Sequence, residues 1–380
     1  MIKIFIFICL VIFSYANDSI LLEERLKDLE YDYDKIEQDS TKESLSWINP
    51  VRLSYVKNEN EYTENEFISV SIDQPVFKFG GIYNAIKYAS VNEKYKKLNH
   101  KIQKIMMIKD AYKTLINLKT IDINLKKQAL LIQNKKIIVQ QIKQEFQSGL
   151  SSIERLNNEA MELNKLQIGR IDLKSTRDQL LDSFKDISTQ DYKIFALPKL
   201  ELKTKELKLK DNLYIKRSYE QQEKLRYYKN LTITKYLPTV SLTYDYQDDK
   251  INDRQTNTRG FKVTMPLNIT FWADTQSAKL SYMRARTADK LEQKKQQRYQ
   301  KRMINKIKLL DEKIETQKVN FKFFEKLYKD IKAQRDAGFK STDDVTILEN
   351  STKAEQLSLE VFELEKQVDL LELYATYELL

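Results

Sequence analysis

Two helical runs of more than 60 residues dominate the sequence, and each follows a pair of short strands in which apolar and polar residues alternate. The runs extend over 81–148 and 274–337, and neither contains a proline. As an α-helix, each would be about 95 Å long. Helices of this length, beside strands too few to close a sheet, indicate a subunit of a larger assembly and not a catalytic domain.

The same plan occurs in both halves of the chain: a short helix, a β-hairpin, a long helix, a glycine-containing turn and a return helix. We predict a first repeat over 17–190 and a second over 204–380, joined by a linker over 191–203. The predicted elements are β-hairpins over 51–73 and 239–267, long helices over 81–148 and 274–337, and return helices over 153–188 and 343–380. Laid end to end, the two shorter helices of each repeat can line the long helix along its full length.

The N-terminus has the pattern of a secretory signal peptide over 1–16. Lys3 provides the basic start, an apolar segment follows, and Ala16 is the expected last residue before cleavage. Cys9, the only cysteine, lies inside this segment. We therefore expect an exported chain that has no thiol, disulfide or cysteine-based metal site after cleavage.

The four strands alternate in the way that is typical of a membrane-spanning β-barrel. In the first strand, Val51, Leu53 and Tyr55 alternate with Arg52 and Ser54. No later segment contains 18 consecutive apolar residues, so the sequence excludes a membrane-spanning helix. A soluble sheet with one solvated face would show the same alternation, and this alternative stays open.

The number of strands points to an oligomer. A closed barrel without unpaired edges needs about eight strands or more, and one chain supplies only four. Because lipid does not tolerate an open sheet edge, we predict that three copies supply twelve strands. The predicted fold class is α+β, mostly α: a trimeric 12-stranded outer-membrane β-barrel continued by long α-helical coiled coils.

The composition argues against several other functions. The formal net charge of +10 arises from 65 lysines and arginines against 55 aspartates and glutamates. The lysines are spread along every helix, which is typical of solvated helix faces and not of a nucleic-acid site. His100, the only histidine, lies in a lysine-rich helix where a solvated residue is expected instead of a metal ligand. Since the sequence has no phosphate-binding loop, nucleophile elbow or Cys/His cluster, we predict neither an enzyme nor a cofactor or metal site.

Five segments, taken in order, resemble the TolC-like outer membrane efflux protein family. The segments 73–90 and 264–285 are similar to its strand-to-helix junctions, and 236–247 resembles the entry into its second hairpin. The segments 146–163 and 337–356 resemble its two tip turns, in which Gly, Ser and an acidic residue follow one another. Each segment alone would be a weak match, but the ordered set covers essentially the whole chain after residue 16.

The resemblance implies a homotrimeric channel, with its β-barrel in the bacterial outer membrane and its helices forming a tunnel in the periplasm. The implied function is that of the outer membrane component of a tripartite efflux pump or type I secretion system, acting as a passive conduit. The implied partners are a periplasmic adaptor protein, an inner-membrane pump or ABC exporter, and outer membrane lipid. The linker over 191–203 would form a small equatorial segment.

The resemblance also assigns roles to individual residues. The strand-to-helix junctions contain Pro75, Phe77, Gly80, Gly81 and Pro266. The tips that would dock with the adaptor contain Gly149, Ser152, Gly338 and Ser341. The pore gate would be formed by Asp344, with Asp343 beside it.

Two roles stay open for the tip aspartates. Asp344 lies six residues after the tip glycine, and threefold symmetry would place three such carboxylates around the pore, a ring that favours cations. The family's next acidic position is Ile347 here, which argues against a second ring. Asp343 and Asp344 are equally suited to capping the N-terminus of the final helix.

Two other classes of protein share part of this pattern. A periplasmic adaptor protein also has a signal peptide and a long helical hairpin, but it should contain one hairpin between β-rich domains. A coiled-coil filament would not need paired strands between its helices. The two hairpins and the paired strands favour the channel over both alternatives.

Overall fold

The computed structural model describes residues 20–59 and 64–379, so the predicted signal peptide over 1–16 lies outside the described residues. The helices are α1 (Glu23–Ser44), α2 (Gly81–Gln147), α3 (Ile153–Lys185), α4 (Leu213–Thr234), α5 (Phe271–Asp336) and α6 (Thr342–Ala375). The strands are β1 (Arg52–Glu59), β2 (Glu64–Phe77), β3 (Thr239–Asp249) and β4 (Arg254–Thr264). The predicted mostly α fold with four strands per chain is confirmed.

The described chain divides into two compact units, and each unit draws on both sequence repeats. The helical unit contains the described residues up to Lys27, together with Lys104–Leu207 and the residues from Gln297 onward. The sheet unit contains Asp28–Gln103 and Lys208–Gln296, and therefore all four strands. The repeats therefore describe the sequence, whereas each compact unit combines segments from both repeats.

The core of the helical unit forms where apolar residues recur every three or four positions along the long helices. On α2 this spacing buries Ile108, Leu115 and Leu118, and on α5 it buries Ile307 and Ile314. Residues at this spacing share one face of a helix, so each long helix presents an apolar stripe within this unit. These are the positions at which the sequence pattern predicts helix packing.

The linker over 191–203 is fastened to two helices of the helical unit by its backbone. The Nζ of Lys119 on α2 donates to the carbonyl oxygen of Phe195, at 2.7 Å. On α6, the side-chain amide of Gln367 bonds to both the N–H and the carbonyl oxygen of Leu200, at 2.8 and 3.1 Å. These bonds satisfy peptide groups of an irregular segment in the way that a neighbouring strand would.

An ion-paired triad joins the same linker to α2 and α3. The Nε of Arg177 lies 2.7 Å from one carboxylate oxygen of Asp122, and the hydroxyl of Tyr192 donates to the other oxygen at 2.5 Å. The guanidinium of Arg177 also donates to the Tyr192 oxygen at 3.1 Å. Burial alone would raise the pKa of Asp122, but the Tyr192 hydroxyl and the Arg177 guanidinium outweigh it and hold the pKa below its usual range.

The four strands form one antiparallel sheet in the order β1-β2-β3-β4. Within the described chain, β1 and β4 therefore each pair with a neighbour on one side only. Leu53 lies opposite Val70, and Val70 lies opposite Tyr246, so that apolar residues of adjacent strands share one face. We call this the apolar face and the opposite side, which includes Ser54, the polar face.

Several element ends differ from the sequence-based bounds. The first hairpin extends past the predicted end at 73 to Phe77, because a bulge between Pro75 and Phe77 accommodates a residue that has no N–H to donate. The second hairpin ends at Thr264 and not at 267, since Pro266 cannot continue the ladder.

The helix bounds also differ. The second long helix begins at Phe271 and not at 274, and the last helix covers Thr342–Ala375 instead of 343–380. The short helix that opens the second repeat begins at Leu213 and not at 204, where that repeat is predicted to start, because Asn212 caps it by accepting bonds from the N–H groups of Tyr214 and Ile215.

Among the described residues, none of the helices combines the length and apolar character needed to cross a membrane.

Candidate functional site

The two turns at the ends of the long helices have the same backbone structure. Gly149 follows α2 with φ of +73°, and Gly338 follows α5 with φ of +83°. The next N–H reaches back five residues in both cases, from Leu150 to the Glu145 carbonyl and from Phe339 to the Gln334 carbonyl. This is the Schellman C-cap, and glycine is favoured because its φ is positive. Space is not the reason, since a Cβ at either glycine would meet nothing within 4 Å.

A serine three residues after each glycine begins the return helix. The Ser152 hydroxyl oxygen accepts a bond from the N–H of Arg155 at 3.2 Å, and that of Ser341 accepts one from Asp344 at 3.1 Å. The predicted tip residues therefore form two matched turns, each with a glycine C-cap and a serine N-cap.

Asp344 completes a capping box at the second tip. Its carboxylate accepts bonds from the backbone N–H of Ser341 at 3.1 Å and from the Ser341 hydroxyl at 3.0 Å. The helix-capping role considered for Asp344 is therefore present. Asp343 is exposed in the first turn of the same helix, and the carboxylate ring stays a prediction for both residues.

The first tip has a different charge arrangement. Arg155 occupies the position that corresponds to Asp344, three residues after the capping serine. Its guanidinium lies 3.0 Å from the carboxylate of Glu145 on α2, so an ion pair crosses the turn. The two tips therefore share a backbone but present different charges.

Sequence reasoning missed an apolar side chain at the end of each tip. Leu150 and Phe339 directly follow the two glycines, and their side chains are 80% and 79% exposed. Large apolar side chains that are this exposed often mark contact surfaces. The signal was present in the sequence, since an apolar residue stands between Gly and Ser at the same position of both turns.

The Ser341 cap can be tested by local hydrogen exchange. Ser341→Ala removes the acceptor for the Asp344 N–H and should destabilise the start of α6 by about 1 kcal/mol. We expect amides over 342–348 to exchange about fivefold faster, as measured by mass spectrometry. Thr346→Ala, which removes only a hydroxyl bonded to the Thr342 carbonyl, is the matched control. Equal exchange in the two variants would contradict the capping role.

The first strand-to-helix junction is a tight turn between β2 and α2. Gly80 has φ of +80°, and its carbonyl oxygen accepts from the side-chain amide of Asn84 at 2.8 Å. A Cβ on Gly81 would lie 2.8 Å from the Lys78 side chain, so the turn leaves little space there. The rings of Phe77 and Phe79 meet edge to face at 4.9 Å between centroids.

The second junction, after Pro266, is held by polar contacts. The hydroxyl of Tyr236 donates to the carboxylate of Asp274, and this bond holds the pKa of Asp274 below its usual value. The Tyr236 ring meets Phe271 edge to face at 5.1 Å, and only 4% of Tyr236 is exposed. The segment that leads into β3 is thus fastened to the start of α5.

The faces of the sheet differ in chemistry as the alternation predicts. The apolar face carries Leu53, Tyr55, Ile68, Val70, Ile72, Val240, Leu242, Tyr244, Tyr246, Phe261 and Val263. The same face also carries Asn257 and Arg259 and, towards the hairpin turns, Lys57, Glu59, Glu64, Glu66 and Asp248. The polar face carries serines, threonines and charged residues, with the Ser54 and Ser69 hydroxyls 2.7 Å apart. Many of the apolar-face side chains, including Leu53 and Phe261, are exposed in the single chain. An apolar face of this extent indicates burial in lipid or against a partner.

Comparisons with known proteins bear on the fold. No family model and no curated protein matches this sequence. The solved CmeC outer membrane channel of Campylobacter jejuni is similar with a TM-score of 0.71 and 13% identity, covering 96% of this chain and 84% of that chain. The outer membrane protein VceC of Vibrio cholerae has a TM-score of 0.73 and 12% identity, covering 96% and 95%.

A third solved structure agrees with these two. The MtrE outer membrane channel of Neisseria gonorrhoeae, in its open state, has a TM-score of 0.66 and 11% identity, covering 96% of this chain and 88% of that chain. The fold expected from the resemblance to TolC-like proteins is confirmed. This chain has the fold of an outer membrane channel subunit.

Proposed function

We propose that this protein is the outer membrane channel of a tripartite efflux pump or a type I secretion system. Three copies would form a passive conduit, with the sheets in the outer membrane and the long helices in the periplasm. The observation that carries the proposal is a sheet with one apolar face and two outer strands that are each paired on one side only, in a chain with an outer membrane channel fold.

The open outer edges of the sheet support the trimer. Within the described residues, the outer edges of β1 and β4 present N–H and carbonyl groups that have no ladder partner. In hydrocarbon, each such group would cost several kcal/mol. Pairing β1 of one copy with β4 of the next satisfies both edges, and three copies then give a closed ring of twelve strands.

The fold also favours an outer membrane channel over a periplasmic adaptor protein. The matched structures are outer membrane channels, which leaves the alternative of a periplasmic adaptor protein without support. As such a channel, the protein would be a non-enzymatic conduit that docks with an adaptor and an inner-membrane pump or ABC exporter. The exposed side chains of Leu150 and Phe339 give the tips an apolar surface for that contact.

The gate is proposed for the same tips. In a trimer, Asp343 and Asp344 would each occur three times around the periplasmic opening. Because the Asp344 carboxylate is engaged in the capping box, the exposed Asp343 is the freer charge for a cation-attracting ring. We expect Asp343→Asn to reduce block by divalent cations more than Asp344→Asn does.

Disulfide cross-linking tests the edge pairing. Cys9 lies in the predicted signal peptide, so engineered cysteines would be the only thiols of the mature chain. Ser54→Cys on β1 should be combined in turn with Thr256→Cys, Thr258→Cys or Thr264→Cys on the same face of β4. We expect at least one pair to give covalent dimers and trimers in outer membrane fractions.

The matched control replaces Ser54→Cys with Ser69→Cys. Ser69 lies on the same face, but its strand, β2, is already paired on both sides within the chain. The Ser69→Cys variants should therefore give no covalent dimers or trimers. Absence of cross-links from every β1–β4 pair, with the protein recovered in the soluble periplasmic fraction, would contradict the proposed function.

A further inference from the structure

The polar face of the sheet carries equal numbers of opposite charges. The strand residues on this face include three cations and three carboxylates: Arg52, Arg254, Lys262, Asp73, Asp245 and Asp249. The formal charge of the face is therefore zero. If three copies close into a ring with the apolar face toward lipid, this face lines the pore.

Four of these charges lie in two neighbouring pairs of opposite sign within the chain, Lys262 with Asp73 and Arg254 with Asp249. The Nζ of Lys262 lies 3.1 Å from the carboxylate of Asp73, which forms an ion pair across β3. The carboxylate of Asp249 accepts bonds from the N–H groups of Ile251 and Asn252 in the β3–β4 turn. Arg254 lies directly opposite Asp249 at the same turn.

The remaining two charges lie in one row across the sheet. Arg52 on β1 is opposite Ser71 on β2, and Ser71 is opposite Asp245 on β3. Two strand spacings separate the arginine from the aspartate, or about 10 Å between backbones. Within the described residues neither makes an ion pair, and the acid diagonal to Arg52 is Asp73, which Lys262 already engages. Both charges therefore face the space beside the sheet.

We propose that Arg52 and Asp245 balance each other in the water-filled pore, so that its membrane-spanning part admits solutes of either charge. The inference rests on the proposed function, since it requires the polar face to line the pore. Three alternating pairs would leave no excess charge at this row. Any discrimination by charge would then arise at another part of the channel or at its partners.

Ser71 provides a probe position between the two charges. Ser71→Cys would be the only thiol of the mature chain, and its reaction rates with a cationic and an anionic methanethiosulfonate report the local potential. The measurement uses intact cells and reagent added outside, so it does not depend on whether the periplasmic tips are open. For the parent Ser71→Cys protein, we expect the ratio of the two rates to equal that of a small thiol in solution.

Removing either charge should change the ratio in opposite directions. Ser71 lies one strand spacing, about 5 Å, from each of the two charges. At about 5 Å in water, one unit charge changes the local concentration of a monovalent reagent about fourfold, so the ratio of cationic to anionic rates should change about 16-fold. Asp245→Asn should lower this ratio and Arg52→Gln should raise it. Arg259→Gln, on the apolar face of β4, is the matched control and should leave the ratio unchanged.

The outcomes separate the inference from the proposed function. A Ser71→Cys thiol that reacts with neither reagent would contradict a water-filled pore beside the polar face, and thus the proposed function. A thiol that reacts, but whose rate ratio stays the same or moves in one direction in both variants, would contradict the charge balance alone.

Discussion

Replacing Leu242 with arginine should prevent the protein from accumulating in the outer membrane. Leu242 lies on the apolar face of β3, a strand paired on both sides, and its side chain is 55% exposed in the single chain. Arginine on the lipid face of a barrel costs about 2–4 kcal/mol near the middle of the bilayer. A trimer would carry three such arginines, and the free-energy cost would apply to each of them. Immunoblots of the detergent-insoluble outer membrane fraction measure the effect.

The neighbouring residue provides the control. Thr243 lies on the polar face, directly opposite Asp73 on one side and Gly260 on the other. Thr243→Arg would add the same side chain to the same strand, but in water and beside a carboxylate. We expect it to assemble at parental levels. Equal loss of both variants, or normal assembly of Leu242→Arg, would contradict the assignment of the apolar face to lipid.

Removing the carboxylate of the Asp122 triad should destabilise the helical unit. Asp122→Asn weakens the charge-assisted bonds to Arg177 and Tyr192, and we expect a loss of about 2 kcal/mol at neutral pH. The expected loss is no larger because the Asp122 and Arg177 side chains are each partly exposed and water can solvate them. Urea unfolding followed by circular dichroism in detergent measures the change.

The triad also gives a defined pH dependence. Because the folded protein holds the pKa of Asp122 below its ordinary value of 3.8, the carboxylate contributes its full stability above that pH. The contribution is lost as the pH falls through the lower pKa of the folded state. The difference in stability between the parent protein and Asp122→Asn should therefore shrink below pH 3.8.

Asp172 supplies a matched control on the exposed surface of α3. Its side chain makes no ion pair in the described part of the chain, so Asp172→Asn should change neither the stability at neutral pH nor its acid dependence. If the difference in unfolding free energy between the parent protein and Asp122→Asn stays constant from neutral pH to below pH 3.8, the proposed role of the triad is contradicted.

Local patterns account for the parts of the fold that the sequence predicts. The spacing of Leu115 and Leu118 on α2 identifies the packed face, since helical periodicity depends only on near neighbours in the chain. Alternation identifies the two faces of the sheet for the same reason. Gly149 and Gly338 mark the tips, because a left-handed residue at a helix end favours glycine.

Apart from the exposed apolar residues of the tips, the missed features depend on partners that are distant in the sequence. Asp122 meets Arg177 and Tyr192 across separations of 55 and 70 residues, and no spacing rule connects them. The bulge that carries β2 past Pro75 likewise depends on its pairing with β3. Alternation predicted the face on which Arg52 lies, but only the register places it in one row with Asp245.

The matching backbone structure of the two tips has a consequence for the evolution of their contacts. Gly149 with Ser152 and Gly338 with Ser341 fix the shape of each turn, while Arg155 and Asp344 occupy equivalent positions with opposite charges. A trimer would have six tip turns with the same backbone structure. Three of them would carry Arg155 and three would carry Asp344 at the equivalent position. A partner that bound all six tips would therefore make two distinct kinds of contact, each repeated three times. One contact could diversify by side-chain replacement while the other kept the original specificity.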